Sequence, residues 1–210
     1  MDSTPIIQEA VKVLREGGVI LYPTDTVWGI GCDATNEKAV ARVFEIKRRS
    51  EAKSLVLLAC DLDMVAKYIK VIPSIAIDLV EVNDAPMTII YPGAQYLAPN
   101  AVAEDGSVGI RIPLVEEEED EVPVKGAAPR RDLTAGAFCR ELVRRLRRPL
   151  VSTSANISGE PTPATFAEIP EEIKEAVDYV VPKPFGRGAT GRSSQIIKLG
   201  LGGEVEILRP

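Results

Sequence analysis

Three clusters of short polar side chains stand beside apolar runs in this chain. Thr24, Asp25 and Thr26 follow Val19-Ile20-Leu21-Tyr22 and Pro23, while Ser152, Ser154 and Asn156 follow Pro149-Leu150-Val151. Arg192, Ser193 and Ser194 follow a glycine-rich GRGATG at 186–191. Hydroxyls and backbone N–H groups at strand ends can bind phosphate oxygens, and α/β sheets hold ligands beyond strand ends. The same residue types also brace turns, so chemistry alone leaves two readings of each cluster. Fixed cations accompany them: Lys47, Arg49 and Lys53 around the end of one helix, and Arg111 near the end of a strand. Arginine grips carboxylate or phosphate through two parallel hydrogen bonds, although cations also suit a helix C-terminus for its own sake. Hydroxyls and cations together suit a phosphorylated or carboxylated ligand. The sequence has no histidine, which excludes a histidine triad, an imidazole base and histidine metal ligation. An enzyme so built works by positioning and electrostatics, or with groups of its own substrates.

The elements that must position these groups show in periodicity and punctuation. Ser3 or Thr4 before Pro5 opens a helix with Ile6, Ala10, Val13 and Leu14 as its apolar stripe, and Gly17-Gly18 ends it. Residues 19–22 read as a buried strand. Gly29 and Gly31 read as a sharp bend or a close approach to a ligand, and Trp28 as packing. Asn36 caps a helix that runs to Lys47-Arg48-Arg49, and a strand at 55–58 returns to the core. Asp61 and Pro73-Ser74 open two further helices. Strands follow at 87–91 and 107–112, with Arg111 on the face opposite Ile110 and Ile112. A helix at 134–147 buries Phe138, Leu142, Val143 and Leu146. Strands at 149–152, 178–181, 195–199 and 204–208 complete the set. GRGATG lacks the GK[ST] ending of a phosphate loop and reads as a turn.

At 210 residues the chain fits a single domain, 1–210, able to bury a core unaided. Its three cysteines are widely spaced, which argues against a disulfide framework or a zinc site. No apolar run is long enough to cross a bilayer and the start lacks a signal-peptide pattern, so a cytoplasmic home is expected. The net charge of −6 restricts nucleic-acid binding to a local patch. The basic face of Arg140, Arg144, Arg145, Arg147 and Arg148 is the best such patch. EEEEDE at 116–121 and the stretch after it read as a solvated surface loop.

YPTDTVWGIGCDAT, the KRR and Lys53 cluster, MTIIYPG, VGIRIP, STSANISG and a late Ser-Ser before a strand occur in that order. Together they resemble the YrdC-like threonylcarbamoyl-AMP synthase family in its short, single-domain form. The resemblance implies an α/β domain, a twisted mixed sheet flanked by helices with a deep cationic cavity. It implies condensation of L-threonine, bicarbonate and ATP to threonylcarbamoyl-AMP and pyrophosphate, with Mg²⁺ accompanying ATP and no direct metal ligand. A separate tRNA-modifying threonylcarbamoyl transferase complex would take the product. Carried over, Lys47, Arg49, Ser154 and Asn156 are the catalytic and triphosphate set. Lys53, Ser152 and Arg209 join them for ATP, Thr26, Arg111 and Ser194 hold threonine, and Thr88 is a further pocket position. The chain departs from the family at Arg48, Ser50 and Ser54, where glycine and proline are usual, and at Leu58, where many members carry histidine. Asp25 reads as a turn-capping residue or an outer-sphere Mg²⁺ contact. An RNA-binding module of the same fold without synthase activity is the alternative. A carbamoyl-transfer relative of hydrogenase-maturation proteins ranks last, since their cysteine-rich modules are missing.

Overall fold

The computed structural model describes residues 3–49, 55–115, 133–182 and 187–210. Lys53, the acidic run at 116–121 and Gly186 lie outside the described residues. The helices are α1 (Ser3–Arg15), α2 (Glu37–Lys47), α3 (Leu62–Tyr68), α4 (Ser74–Glu81), α5 (Ala135–Leu146) and α6 (Glu171–Ala176). The strands are β1 (Ile20–Tyr22), β2 (Gly29–Gly31), β3 (Val56–Leu58), β4 (Met87–Tyr91), β5 (Val108–Arg111), β6 (Leu150–Ser154), β7 (Tyr179–Val180), β8 (Gln195–Leu199) and β9 (Val205–Arg209). Caps set the helix starts as their sequences imply. Asn36, Asp61 and Thr134 each accept a hydrogen bond from the backbone N–H three residues on, in Ala39, Met64 and Ala137.

The strands share one mixed sheet in the order β7-β1-β2-β6-β3-β5-β4-β8-β9. β3 runs parallel to β5, β4 to β8 and β1 to β7, and the other neighbours are antiparallel. Gly29 and Gly31 form no bend: they are the two ends of β2, hydrogen-bonded between β1 and β6. The three-residue segment is flanked by partners on both sides, and this pairing overrides the weak strand preference of glycine. At Gly31 a Cβ would collide with the carbonyl of Val151, so the close approach expected there is to backbone.

Side chains alternate across this sheet, and the two faces differ in cover. Leu21, Ile30, Leu57, Ile89, Ile110 and Val151 face one large cluster that also holds inner residues of α2, α3, α4 and α6. Trp28 packs there edge-on to Phe166, with ring centroids 4.8 Å apart. Ile20, Tyr22, Leu58 and Leu150 face a second cluster with α1 and α5. Among the described residues that cluster covers only part of its face. Val56, Ile90, Gly109, Arg111, Ser152 and Ser154 alternate with core residues on the same strands and line an open cavity instead.

Candidate functional site

The cavity, of about 270 Å³, is floored by the uncovered part of the sheet. Register sets the floor in rows. Ser152 pairs with Val56, Val56 with Gly109 and Gly109 with Ile90; beside that row Arg111 pairs with Thr88 and Thr88 with Ile196. Around this floor stand Thr24, Thr26, Gly29 and its strand partner Ser154, with Arg49, Ser193, Ser194 and Arg209 completing the walls. Three arginines and several hydroxyls therefore face one space, and no carboxylate is among the described lining residues.

Each wall is held by local bonding. Thr24 Oγ1 accepts the backbone N–H groups of Thr26 and Val27 at 3.1 and 3.2 Å and lies 2.8 Å from Thr26 Oγ1, which fixes the hydroxyl-rich turn. The segment after Gly186 docks on this turn: Thr190 and Gly191 donate backbone N–H bonds to the Asp25 and Thr26 carbonyls. Ser194 Oγ lies 2.8 Å from Thr88 Oγ1, and Arg209 Nε donates to the Ser194 carbonyl at 2.7 Å. Burial and the nearby Arg111 charge lower the Arg209 pKa, and burial lowers that of Arg49.

Arg111 is buried against Asp25, with Nη2 3.1 Å from Oδ1 and only 5% and 3% of the two residues exposed. Asp25 Oδ2 accepts from the Leu114 backbone N–H. Asp25 is therefore neither a cap of its own turn nor open to the cavity; it is the counter-ion of Arg111. Among the described residues Arg111 Nε and Asp25 Oδ1 are buried without a hydrogen-bond partner, while another part of the Arg111 side chain reaches the cavity lining.

Lys47 and Asn156 stand behind the wall rather than in it. Lys47 Nζ donates to the carbonyls of Ser154 (2.5 Å) and Asn156 (2.7 Å) and to Asn156 Oδ1 (3.2 Å), so three acceptors meet the three N–H groups of one ammonium. Asn156 Oδ1 also accepts from Ser154 Oγ, and Asn156 Nδ2 donates to Glu160 O at 2.7 Å. Burial, with Arg49 adding repulsion, lowers the Lys47 pKa to about 8.

The structure thus brings Thr26, Thr88, Arg111, Ser194, Arg49, Ser152, Ser154 and Arg209 to one cavity, with Thr88, Ser194 and Arg209 linked by hydrogen bonds. Leu58 stands in register with Arg111 but is fully buried in the second cluster. Sequence reasoning missed the Asp25–Arg111 pair, whose members are far apart in the chain. It also missed Gly109, whose signal was a glycine inside the strand-like SVGIRI. The basic face of α5 is engaged by neighbours: Arg144 and Arg145 bind Glu141, Arg148 binds Asp33, and Arg140 donates to the Cys60 carbonyl.

An α/β sheet whose one face is left partly bare by the described residues, with hydroxyls and arginines around the opening, is suited in its chemistry to a small anionic molecule. The chain belongs to the Sua5/YciO/YrdC family, whose model, described as telomere recombination, matches residues 12–116 and 133–210. It is 30% identical over 189 residues to a threonylcarbamoyl-AMP synthase of Pseudoalteromonas translucida, covering 89% of this chain and 90% of that protein. It is 32% identical over 207 residues to one of Xanthomonas euvesicatoria pv. vesicatoria, covering 94% and 100%. The solved P. abyssi Sua5 complexed with L-threonine superposes with a TM-score of 0.75 at 25% identity, over 92% of this chain and 50% of that one. This chain therefore spans about half the length of that protein. E. coli YciO superposes with a TM-score of 0.70 over 98% of this chain and 88% of its own, at 22% identity, a likeness of fold alone.

Proposed function

We propose that the chain, as one domain over 1–210, condenses L-threonine, bicarbonate and ATP into threonylcarbamoyl-AMP with release of pyrophosphate. The observation that carries this reading is the meeting, in one cavity without a carboxylate in its described lining, of the nearly buried Arg111 with Arg49, Arg209 and the hydroxyls of Ser154 and Ser194. The names of the curated relatives and the threonine-bound Sua5 support it.

The reaction needs no protein nucleophile. Threonine's amine and bicarbonate give a carbamate with loss of water. A carbamate oxygen then attacks the α-phosphorus of ATP, the bond to the bridging oxygen breaks, and pyrophosphate leaves. What the protein must supply is alignment and charge stabilisation. Arg111 takes the threonine carboxylate, while Thr26, Ser194 and Thr88 offer hydroxyls around it. Arg49, Ser154 and Ser152 meet the phosphates, with Arg209 at the rim toward the nucleotide. Lys47 and Asn156 act through Ser154: they hold the turn and add positive charge behind it. Lys53 is assigned to the nucleotide by family position alone. Mg²⁺ prefers carboxylate, water and phosphate oxygens. The described lining holds no carboxylate, and no group of three or more His, Cys, Asp or Glu side chains among the described residues could hold a metal. The residues present therefore do not fit direct Mg²⁺ ligation, and the ion belongs with the triphosphate.

A transferase complex that modifies tRNA is the consumer this product requires, and the cytoplasm is the compartment that joins them. Among the described residues no helix is long and apolar enough to cross a membrane. Arg140, Arg144, Arg145 and Arg148 already have protein partners, which weighs against a purely RNA-binding role. The product decides the matter: mass spectrometry after incubation with ATP, bicarbonate and L-threonine should detect threonylcarbamoyl-AMP. ATP consumed without that adduct would contradict the proposal.

A further inference from the structure

Gly109 lies inside β5, buried, on the cavity floor. Glycine weakens a strand, because it packs no side chain and has more freedom to lose. The backbone does not demand it, since Gly109 is absent from the positive-φ residues. Protein packing constrains it less than it does Gly31 or Gly136. A Cβ at Gly31 or Gly136 would run into a backbone carbonyl, of Val151 or Leu114. A Cβ at Gly109 would meet first Thr88 Cγ2 at 3.2 Å, then Ile90 Cγ1 at 3.8 Å and the Leu55 carbonyl at 3.9 Å. Thr88 would have to give by a few tenths of an ångström, but no backbone atom stands within 3.4 Å of that Cβ, and the position borders the cavity.

We infer that Gly109 is a specificity-determining residue, kept bare so that the β-carbon substituents of the amino-acid substrate lie over it. The inference rests on the function proposed above and names how one of its substrates is selected. Arg111 is the next residue of β5 on the same face, placed for the α-carboxylate. Thr88, the cross-strand partner of Arg111, turns its methyl toward Gly109 and its hydroxyl toward Ser194 Oγ. The floor is therefore apolar on the Ile90 side and hydroxylic on the Ser194 side. These are the two chemistries that threonine carries on one carbon. A methyl at position 109 competes with the substrate's methyl, and serine, which has only the hydroxyl, does not need that space.

The test compares Gly109→Ala with the unaltered protein in pyrophosphate release at saturating ATP and bicarbonate, using L-threonine and L-serine in turn. Calorimetry measures binding of each amino acid without turnover. The expected result is a loss of at least about tenfold for threonine, the scale of one methyl in an apolar subsite. Serine and ATP should change less than about threefold. The double variant Gly109→Ala/Thr88→Ser removes the methyl that crowds the new Cβ, and its threonine-to-serine preference should fall likewise should the single variant fold poorly. Equal loss of both amino acids, an ATP requirement raised with threonine unaffected, or no change would overturn the assignment. Threonine that binds the unaltered protein and is weakened by Gly109→Ala, with no pyrophosphate released by either, would sink the proposed reaction and leave the subsite standing.

Discussion

Two arginine-rich regions of this molecule look alike in sequence and differ in structure. The α5 region carries Arg140, Arg144, Arg145, Arg147 and Arg148 within nine residues of chain, and the cavity gathers Arg49, Arg111 and Arg209 from three distant segments. On α5 the side chains are largely exposed and pair with Glu141 one turn away, or with Asp33. In the cavity they are drawn into a partly desolvated space without a carboxylate in its described lining, and Arg111 is almost fully buried. Charge density along the chain is thus a poor guide to a binding site. What matters is whether a cation is desolvated and whether its donors are already used.

The comparison breaks most easily at Arg111. Arg111→Ala leaves Asp25 buried without its counter-ion, which should cost about 3–5 kcal/mol. Adding Asp25→Asn should recover much of that stability in denaturant melts, yet threonine binding should stay lost. Recovery of both would mean that Arg111 is structural only. Arg49→Ala should next reduce turnover by about 10²–10³, the scale of a lost charge-stabilising donor, with an unchanged melting temperature. Turnover within twofold of the parent would remove Arg49 from the site.

Lys47 offers a subtler contrast, through pH. Its folded pKa of about 8 lies below the ordinary lysine value of 10.5. A neutral amine has two N–H donors and a lone pair, whereas three protein acceptors surround this nitrogen. Turnover should therefore decline as pH rises through about 8. Folding stability should move the other way: between about 8 and 10.5 the unfolded chain binds the extra proton, so the cost of a buried ammonium is relieved as pH rises. Parallel pH profiles of rate and melting, repeated on Lys47→Met, check both signs; the variant should lose the lysine contribution to the stability rise.

Smaller effects sharpen the picture at the surface. Arg48 closes α2 in the left-handed region, at φ 49°, a conformation that favours glycine. Arg48→Gly should stabilise the fold by about 1 kcal/mol, reduced slightly by loss of the exposed contact with Glu172. Arg144→Ala with Arg145→Ala should cost only about 0.3–0.5 kcal/mol per lost pair and leave turnover intact. A large loss of turnover would erase the distinction between the two regions.

Helix starts, the strand segments and the alternation that turns Arg111 away from Ile110 were legible because each is set by neighbours in the chain. Asn36, Asp61 and Thr134 behave as their local sequences imply. The sheet order was not legible, since it depends on pairings such as β6 between β2 and β3. For the same reason Gly29 and Gly31 read as a bend or a close approach to a ligand: only their distant partners make them a strand, and Gly29 lines the cavity. The site was legible as a set of residues through family likeness, but not as a geometry. Nothing near Asp25 announces Arg111, and nothing near Lys47 announces that its ammonium faces the Ser154–Asn156 turn. The cavity itself arises from incomplete cover of one sheet face by α1 and α5, which is a property of packing.

The central claim is tested most directly by pyrophosphate release from ATP by the purified protein, with L-threonine and bicarbonate added singly and together. The account predicts release that requires both. Release independent of threonine, or none from a folded protein supplied with all three substrates and Mg²⁺, would contradict it.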